Sequence, residues 1–367
     1  MIKEQFESLI YRLSLYFQDS TNEDKIELFI EKAKNENAWF SDSLIRDAMK
    51  AIESQFLDVA IWKSFFDKTG SCQLTQQTRS TSVRKSPYSS LKLGTLSSRL
   101  LYKKNKQPDA IISVTQTPER LVPGNASGIA SAMGWTKGKE RAAPLCWDLQ
   151  MGCAGMVWGL HQAAMLLQQD SINEVLLVCS ETHSRLVNPS DRATRLLFGD
   201  GATAMRLTKQ AKAGQEGTWT FELGTQPDDA GQLCTKPDGF LHMDGLSIFD
   251  FAVGTVVPAL EKFIQSNGLS KDQISTYLMH QASGLVLQYM QRMMQIPPHR
   301  MPIALDGYGN TGSASIGILL AHHFAGTTHP ELRNAIMVGF GSGLQWGFLK
   351  ADLSQTKIHP ILPIDSP

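Results

Sequence analysis

A cysteine that does covalent chemistry needs an electropositive seat with space beside it, and Cys153 lies in a stretch that could supply one. Residues 146–160, CWDLQMGCAGMVWGL, bring an apolar run with Leu145, Trp147 and Leu149 to a small-residue turn, Gly152-Cys153-Ala154-Gly155. Met156, Val157, Leu160, Ala163, Ala164 and Leu167 then recur at helical spacing. The pattern predicts strand, tight turn, helix, with the thiol at the positive end of the helix dipole, which favours a nucleophilic thiolate near neutral pH. The flanking glycines and alanine are expected to leave room for a substrate. His280 opens HQASG directly after the apolar run TYLM, at a strand end. Asn310 lies in GYGNTGSAS, a glycine-rich turn running into an apolar helix. Gly339–Trp346, GFGSGLQW, follows the buried-type strand AIMV, and its glycines let backbone N–H groups face a ligand. Each has a plainer reading by itself: a buried small hydrophobe for Cys153, a structural histidine for His280, a turn or helix cap for Asn310, a tight turn for the glycines. Together they supply a nucleophile, an imidazole, an amide donor and a backbone nest, the parts needed for acyl transfer through a thioester.

The elements that must position these residues alternate from Leu91 onward. LKLGTLSSRLLYKK reads as a helix, Asp109–Thr115 as a strand, Asn125–Trp135 as a helix, Leu145–Met151 as the strand before Cys153, and Glu174–Ser180 as a buried strand. The helix after Cys153 runs to about Gln169. The series then repeats: strand Trp219–Leu223, helix Phe249–Asn267, strand Thr276–His280, helices Gly284–Gln295 and Ile316–Phe324, strand Asn334–Phe340. Strands alternating with helices imply an α/β class with a parallel or mixed sheet, and two successive halves of similar order suggest a pseudo-duplicated fold with the site between them.

At 367 residues the chain can bury a large core. Its 35 basic and 35 acidic residues cancel, so no global field attracts nucleic acid or an anionic membrane. The five cysteines, Cys72, Cys146, Cys153, Cys179 and Cys234, form no CxxC pair and have no histidine at ligand spacing, which fits reduced thiols and no metal site. The N-terminus MIKEQFESLIYRLSLYF ends in no cleavage site, and no stretch is apolar for the length of a membrane span, so a cytoplasmic protein is expected.

Residues 1–67 differ from the remainder. Phe6, Leu9, Ile10, Leu13 and Phe17, then Ile26, Phe29, Ile30 and Ala33, then Ile45, Ala48, Met49, Ile52 and Phe56 fall at three-to-four spacing and predict a helical N-terminal extension. Residues 68–90, rich in Thr, Ser, Gln and Arg, read as a connection. The two α/β halves then cover 91–210, with the nucleophile, and 211–367, with His280 and Asn310.

DLQMGCAG, SETHSRLVNPSDRATRLLFGDGA, MHQAS, GYGNTGSAS and GFGSGLQWG, in this order, resemble the thiolase-fold condensing enzymes, and most of all the β-ketoacyl-acyl-carrier-protein synthases III. The likeness runs over Leu91–Leu353, and TQTPERLVPGNASGIASAMGW follows the loop and helix that precede that family's catalytic strand. It implies a five-layered αβαβα thiolase-like fold, a homodimer or a heterodimer with a related synthase subunit, and a Cys-His-Asn triad at Cys153, His280 and Asn310. It also implies an oxyanion hole from the backbone N–H groups of Cys153 and Ser342, acyl-CoA or acyl-carrier-protein thioesters as substrates, and no metal or redox cofactor. The chemistry implied is acylation of Cys153 followed by decarboxylative condensation with a malonyl-type thioester, in fatty-acid or secondary-metabolite synthesis. FGDGA is expected to be scaffold.

Three positions depart from the family pattern. Ser283 replaces the usual asparagine of HQAN, so support of the His280 loop is expected to differ. Ser342 replaces a glycine, keeping the N–H while its side chain narrows the pocket. The family's N-terminal strand and its Trp/Arg pair for the CoA adenine are not recognisable; Trp62 and Arg79 match only by order. Residues 1–67 instead share WFS and a helix ending in QFL with helices that lead some bacterial acyl-CoA reductases. Arg185, Arg192 and Arg195 are candidates for a basic rim toward an acidic carrier, and Trp158, Met133 and the Leu186–Leu197 segment for the wall of an acyl tunnel. Two other functions use the same fold: acyl transfer to an alcohol or amine, and a non-catalytic subunit of a heterodimeric synthase. Retention of Cys153, His280 and Asn310 weighs against both. No G-x-S-x-G elbow supports a serine hydrolase.

Overall fold

The computed structural model describes residues 86–99, 101–102, 106–136, 142–208 and 219–361. The expected helices of residues 1–67, most of the connection that follows, Cys72, Trp62 and Arg79 lie outside them. The described residues fall within one compact unit, Gln76–Pro367.

Helix α1 (Ser90–Arg99) leads to strand β1 (Ala110–Val114), helix α2 (Asn125–Ala132), strand β2 (Leu145–Leu149), helix α3 (Gly155–Leu167) and strand β3 (Glu174–Thr182). A short turn of helix, α4 (Arg192–Arg195), precedes β4 (Asp200–Thr208) and β5 (Thr220–Thr225). A two-stranded ribbon, β6 (Leu233–Thr235) with β7 (Leu241–Met243), is followed by α5 (Gly245–Phe251), α6 (Val257–Ser266), β8 (Thr276–Met279) and α7 (Gly284–Met293). Helix α8 (Ser315–His323), β9 (Ala335–Gly341) and β10 (Gln345–Ala351) complete the order.

Two four-stranded sheets result, β2-β1-β3-β4 and β5-β10-β9-β8. In the first, β1 runs parallel to β2 and β3, with Ala110 opposite both Leu145 and Val175, and β4 closes antiparallel on β3. In the second, β8 and β9 are parallel, with Thr276 opposite Ala335, and β10 is antiparallel to β9 and to β5. The series β1, β3, β4 thus recurs as β8, β9, β10, which is the expected duplication.

Period-two alternation in the strands assigns the layers. Ala110, Ile112, Val114, Val175, Leu177 and Cys179 point inward to Met156, Val157, Leu160 and Ala163 of α3, to Ile316, Leu319 and Leu320 of α8, and to Leu278, Met337 and Leu349 of the second sheet. The alternate residues Ile111, Leu176 and Val178 face outward to Ala126, Ile129 and Ala130 of α2 and to Trp135. Beyond the second sheet, Phe263 of α6 meets Phe348 with ring centroids 5.6 Å apart. Helices therefore lie outside, between and beyond two sheets, the five-layered αβαβα arrangement. Met133 packs in the outward cluster with α2, on the sheet face away from α3, so it lines no tunnel beside Cys153.

Three elements differ from the sequence expectation. Asp200 of FGDGA opens a nine-residue strand rather than a free turn. The glycine-rich stretch after β9 turns at Ser342–Leu344 and returns as β10. The helix expected over Phe249–Asn267 begins at Gly245, where the Asp244 side chain accepts from the N–H groups of Leu246 and Ser247, and widens to a π-helical turn over Ala252–Val256 before Pro258. Proline has no N–H to continue the regular ladder, so the wider turn is accommodated just ahead of it. Cys146, Cys153, Cys179 and Cys234 are free thiols, and no described helix is long and apolar enough to cross a membrane.

Candidate active site

The small residues around Cys153 are there for close packing more than for substrate access. Cys153 lies one residue before Ala154, the N-cap of α3, in a turn closed by the Gly155 N–H donating to the Gly152 carbonyl at 2.7 Å. A Cβ on Gly155 would stand 2.5 Å from Val114 Cγ1, and one on Gly152 would stand 2.5 Å from both Gln116 Oε1 and Ser342 Oγ. From the other half, β9 reaches the same turn: a Cβ on Gly339 would lie 2.9 Å from Ala154 Cα, and one on Gly341 2.6 Å from Cys153 Cβ and 3.1 Å from its Sγ. Since real Cβ atoms do not approach so closely, Gly341→Ala is expected to push the sulfur aside. It should cut acylation of Cys153 by about 10²-fold or more, since misplacing a reacting group by an ångström costs that much. Labelling of the Cys153 peptide measures it, and labelling at the native rate would show that the turn yields without moving the sulfur.

His280 follows β8. Its N–H donates to the Val338 carbonyl at 2.7 Å, its ring stands edge-on to Phe340, and Nδ1 lies 2.7 Å from Ser315 Oγ, which fixes the ring's orientation. The loop is fixed by Gln281, whose amide donates to the Met279 carbonyl and accepts from the Ala304 N–H, both at 2.8 Å. Ser283 instead caps α7 by accepting from the Val286 N–H. The departure at Ser283 therefore leaves the His280 loop supported, through Gln281 and Ser315.

Asn310 is bound to the FGDGA segment through its backbone: its N–H donates to the Leu197 carbonyl and its carbonyl accepts from the Gly199 N–H. Its side-chain oxygen accepts from the Gly312 N–H at 2.9 Å, and its amide donates to the Ala282 carbonyl at 3.3 Å and toward the Cys153 sulfur. Asp200 accepts from Ser86 N–H, Ser184 N–H and Ser184 Oγ, which makes FGDGA the brace of the Asn310 turn. Ser342, next to Gly341, accepts at Oγ from the Gln116 amide at 2.8 Å. Its hydroxyl fills the space between Gly152 and Gln116.

Electrostatics correct one expectation. Burial first, and the Glu181 carboxyl second, push the Cys153 thiol up to about 12, against the backbone N–H and Asn310, which lower it. Desolvation outweighs the helix terminus, so the resting nucleophile is a thiol and not the expected thiolate. Burial, with His183 nearby, brings His280 down to about 3, against a raising contribution from the Gly312 carbonyl, so the ring is neutral at physiological pH.

A β-ketoacyl-[acyl-carrier-protein] synthase III 1 of Bacillus anthracis is 32% identical over 239 residues, 65% of this chain and 74% of its own length. The chain belongs to the 3-oxoacyl-[acyl-carrier-protein] synthase III family. The synthase III family model matches residues 147–227, which hold Cys153, and the model of the family's C-terminal part matches 264–350, which hold His280, Asn310 and Ser342. Gloeobacter violaceus has a synthase III 33% identical over 261 residues, 66% of this chain and 76% of its own. Among solved structures, the synthase III of Pseudomonas aeruginosa PAO1 superposes with TM-score 0.66 at 26% identity, covering 80% of this chain and 93% of that one. The synthase III of Thermus thermophilus gives 0.65 at 27%, covering 74% and 87%.

Within this synthase III framework several residues were not singled out from the sequence. Glu181, Gln116, Gln281 and Ser315 hold the loops, and only Glu181 left a signal, a carboxylate near the end of the buried-type run VLLVCSET. Arg185 and Arg192 are exposed, whereas Arg195 donates to the Pro189 carbonyl of its own loop. Trp158 donates from its indole to the Trp346 carbonyl, joining α3 to β10.

Proposed function

We infer that the chain is a ketosynthase of the synthase III type, forming a β-ketoacyl thioester from an acyl thioester and a malonyl-type thioester. This reading is supported by Asn310 and Gly341 standing against Cys153, while the Asn310 amide donates to the carbonyl of Ala282, whose own N–H donates to the His280 carbonyl at 2.9 Å.

In the first step the Cys153 sulfur attacks the thioester carbonyl, its proton passing to the departing thiolate. The N–H groups of Cys153 and Ser342 receive the oxyanion. The malonyl thioester then enters, and His280 and Asn310 donate to its carbonyl oxygen. The bond to the carboxylate breaks, carbon dioxide leaves, and its electron pair becomes an enolate whose charge develops where those donors stand. Attack on the acyl-enzyme makes the carbon–carbon bond and expels the Cys153 thiolate, which takes one proton from solvent. The route is redox-neutral and needs no metal. Acyl-CoA and acyl-carrier protein are the expected thioesters, with the exposed Arg185 and Arg192 suited to an acidic carrier. A reducing, cytoplasmic setting suits the free thiols.

Assembly is expected to be dimeric. Among the described residues β2 is a sheet edge, and Leu145 and Trp147 on it are 50% and 40% exposed, large apolar side chains on an edge that a second copy could pair with and cover. Trp147→Asp is expected to convert a dimer into monomer, by light scattering; a dimer that survives would move the interface elsewhere. The catalytic test is product analysis after mixing acyl-CoA donors with malonyl-carrier protein. A β-ketoacyl product supports the synthase; an acylated alcohol or amine without a new carbon–carbon bond would give the acyltransferase reading instead.

A further inference from the structure

Glu181, next to last in β3, is wholly buried, and its donors come from two separate stretches, Thr115–Thr117 and the turn that holds Ser313. Its carboxyl accepts from Ser313 Oγ at 2.7 Å, Thr117 Oγ1 at 3.0 Å, the Gln116 N–H at 3.1 Å and Thr115 Oγ1 at 3.2 Å. Ser313 belongs to the turn that carries Asn310. Gln116 passes its own side chain on to Ser342 beside Gly341, at 2.8 Å. We propose that Glu181 is a positioning residue, an anionic latch that aligns the Asn310 turn and the Ser342 backbone against Cys153. The proposal rests on the synthase reading of the site.

An ionised carboxyl has only acceptor sites and can satisfy four donors at once; a protonated one must place an O–H among them, so that one hydroxyl turns from donor to acceptor and the remaining bonds lose their charge assistance. Cys153 from the α3 turn and Cys179 on the same strand feel its charge; His183 lies two residues further along the chain, and His280 of the β8 loop feels His183. Burial holds both thiols well above their usual values and brings His183 down to about 4 and His280 to about 3, so all four are neutral near pH 7. Burial also raises Glu181, to about 7, against its four donors. Of the five groups, Glu181 is the one that changes charge near neutrality, and the latch closes as pH rises through that region.

The test compares wild type, Glu181→Gln, Glu181→Asp and Ser313→Ala by condensation kinetics and by iodoacetamide alkylation of Cys153, both across pH. Wild-type kcat is expected to rise through a step near 7. Glu181→Gln should lose that step and about tenfold or more in kcat with KM for the acyl donor little changed, as expected for hydrogen bonds to a charged group. At the same time its Cys153 alkylation midpoint should move to lower pH, because a negative neighbour has been removed. A merely structural residue would not lower turnover while making the thiol more acidic. Glu181→Asp should retain the step at reduced amplitude. Ser313→Ala, with one donor fewer to the anion, should shift the step upward in pH, and it stands in if Glu181→Gln does not fold. Native kcat and an unchanged pH profile in Glu181→Gln, or a loss of kcat with both the step and the alkylation midpoint retained, would overturn the proposal. A wild type that no donor acylates would overturn the synthase reading, while the alkylation arm still reads the coupling of Glu181 to Cys153.

Discussion

Cys153→Ala is expected to lower kcat/KM for condensation by about 10⁴-fold or more, the scale on which removing a covalent nucleophile acts. No other described side chain can take its place: the opposing residues are Gly341, Asn310 and Ser342, and Ser342 Oγ is engaged by Gln116. The alanine methyl fits where the Cys153 Cβ already stands, so the fold should persist, with a thermal midpoint within about 4 °C of wild type, roughly the shift that 1 kcal/mol produces in a domain of this size. Adding His280→Ala to this variant should cost little more, because residues that act as one unit do not lose activity additively. Steady-state assay of the single and double variants measures both effects. A Cys153→Ala protein that condenses at more than a few per cent of the native rate would remove the covalent intermediate from the account.

The second large effect separates the two half-reactions. His280→Ala and Asn310→Asp each remove a donor from the place where enolate charge develops, and each is expected to lower condensation by about 10²- to 10³-fold. Asn310→Asp keeps the oxygen that accepts from the Gly312 N–H, so the turn itself should survive. Acylation of Cys153 should be far less affected, since its oxyanion is received by backbone N–H groups. Asn310 does donate toward the sulfur, so a modest slowing of acylation is expected in that variant. Rapid-quench measurement of acyl-enzyme formation beside malonyl-dependent discharge distinguishes the steps. Equal loss in both would mean that the two residues serve the nucleophile and not the enolate.

Much of this arrangement was legible in the chain because it rests on local patterns. The change of period from two to about 3.6 across Gly152–Gly155 marks the strand, turn and helix that present Cys153. The duplication of halves and the positions of His280 and Asn310 followed from the same kind of reading. Strand β4 was not legible, since Phe198–Ala202 carries turn signals and only the long-range pairing of Glu181 with Gly201 makes it a strand. The charge state of Cys153 was misread because a dipole is visible in sequence and desolvation is not. Glu181 escaped notice for a related reason: its four donors lie 64 to 132 residues away, and nothing local announces them. Met133 has helical spacing either way, and only the sheet decides which face it joins.

The most direct measurement is peptide mass spectrometry of the wild-type protein after incubation with a panel of acyl-CoA and acyl-carrier donors, followed by a malonyl-thioester chase. An acyl mass is expected on the Cys153 peptide, and the chase is expected to discharge it as a β-ketoacyl thioester. An acyl group that appears on another residue, or that stays on Cys153 throughout the chase, would contradict it.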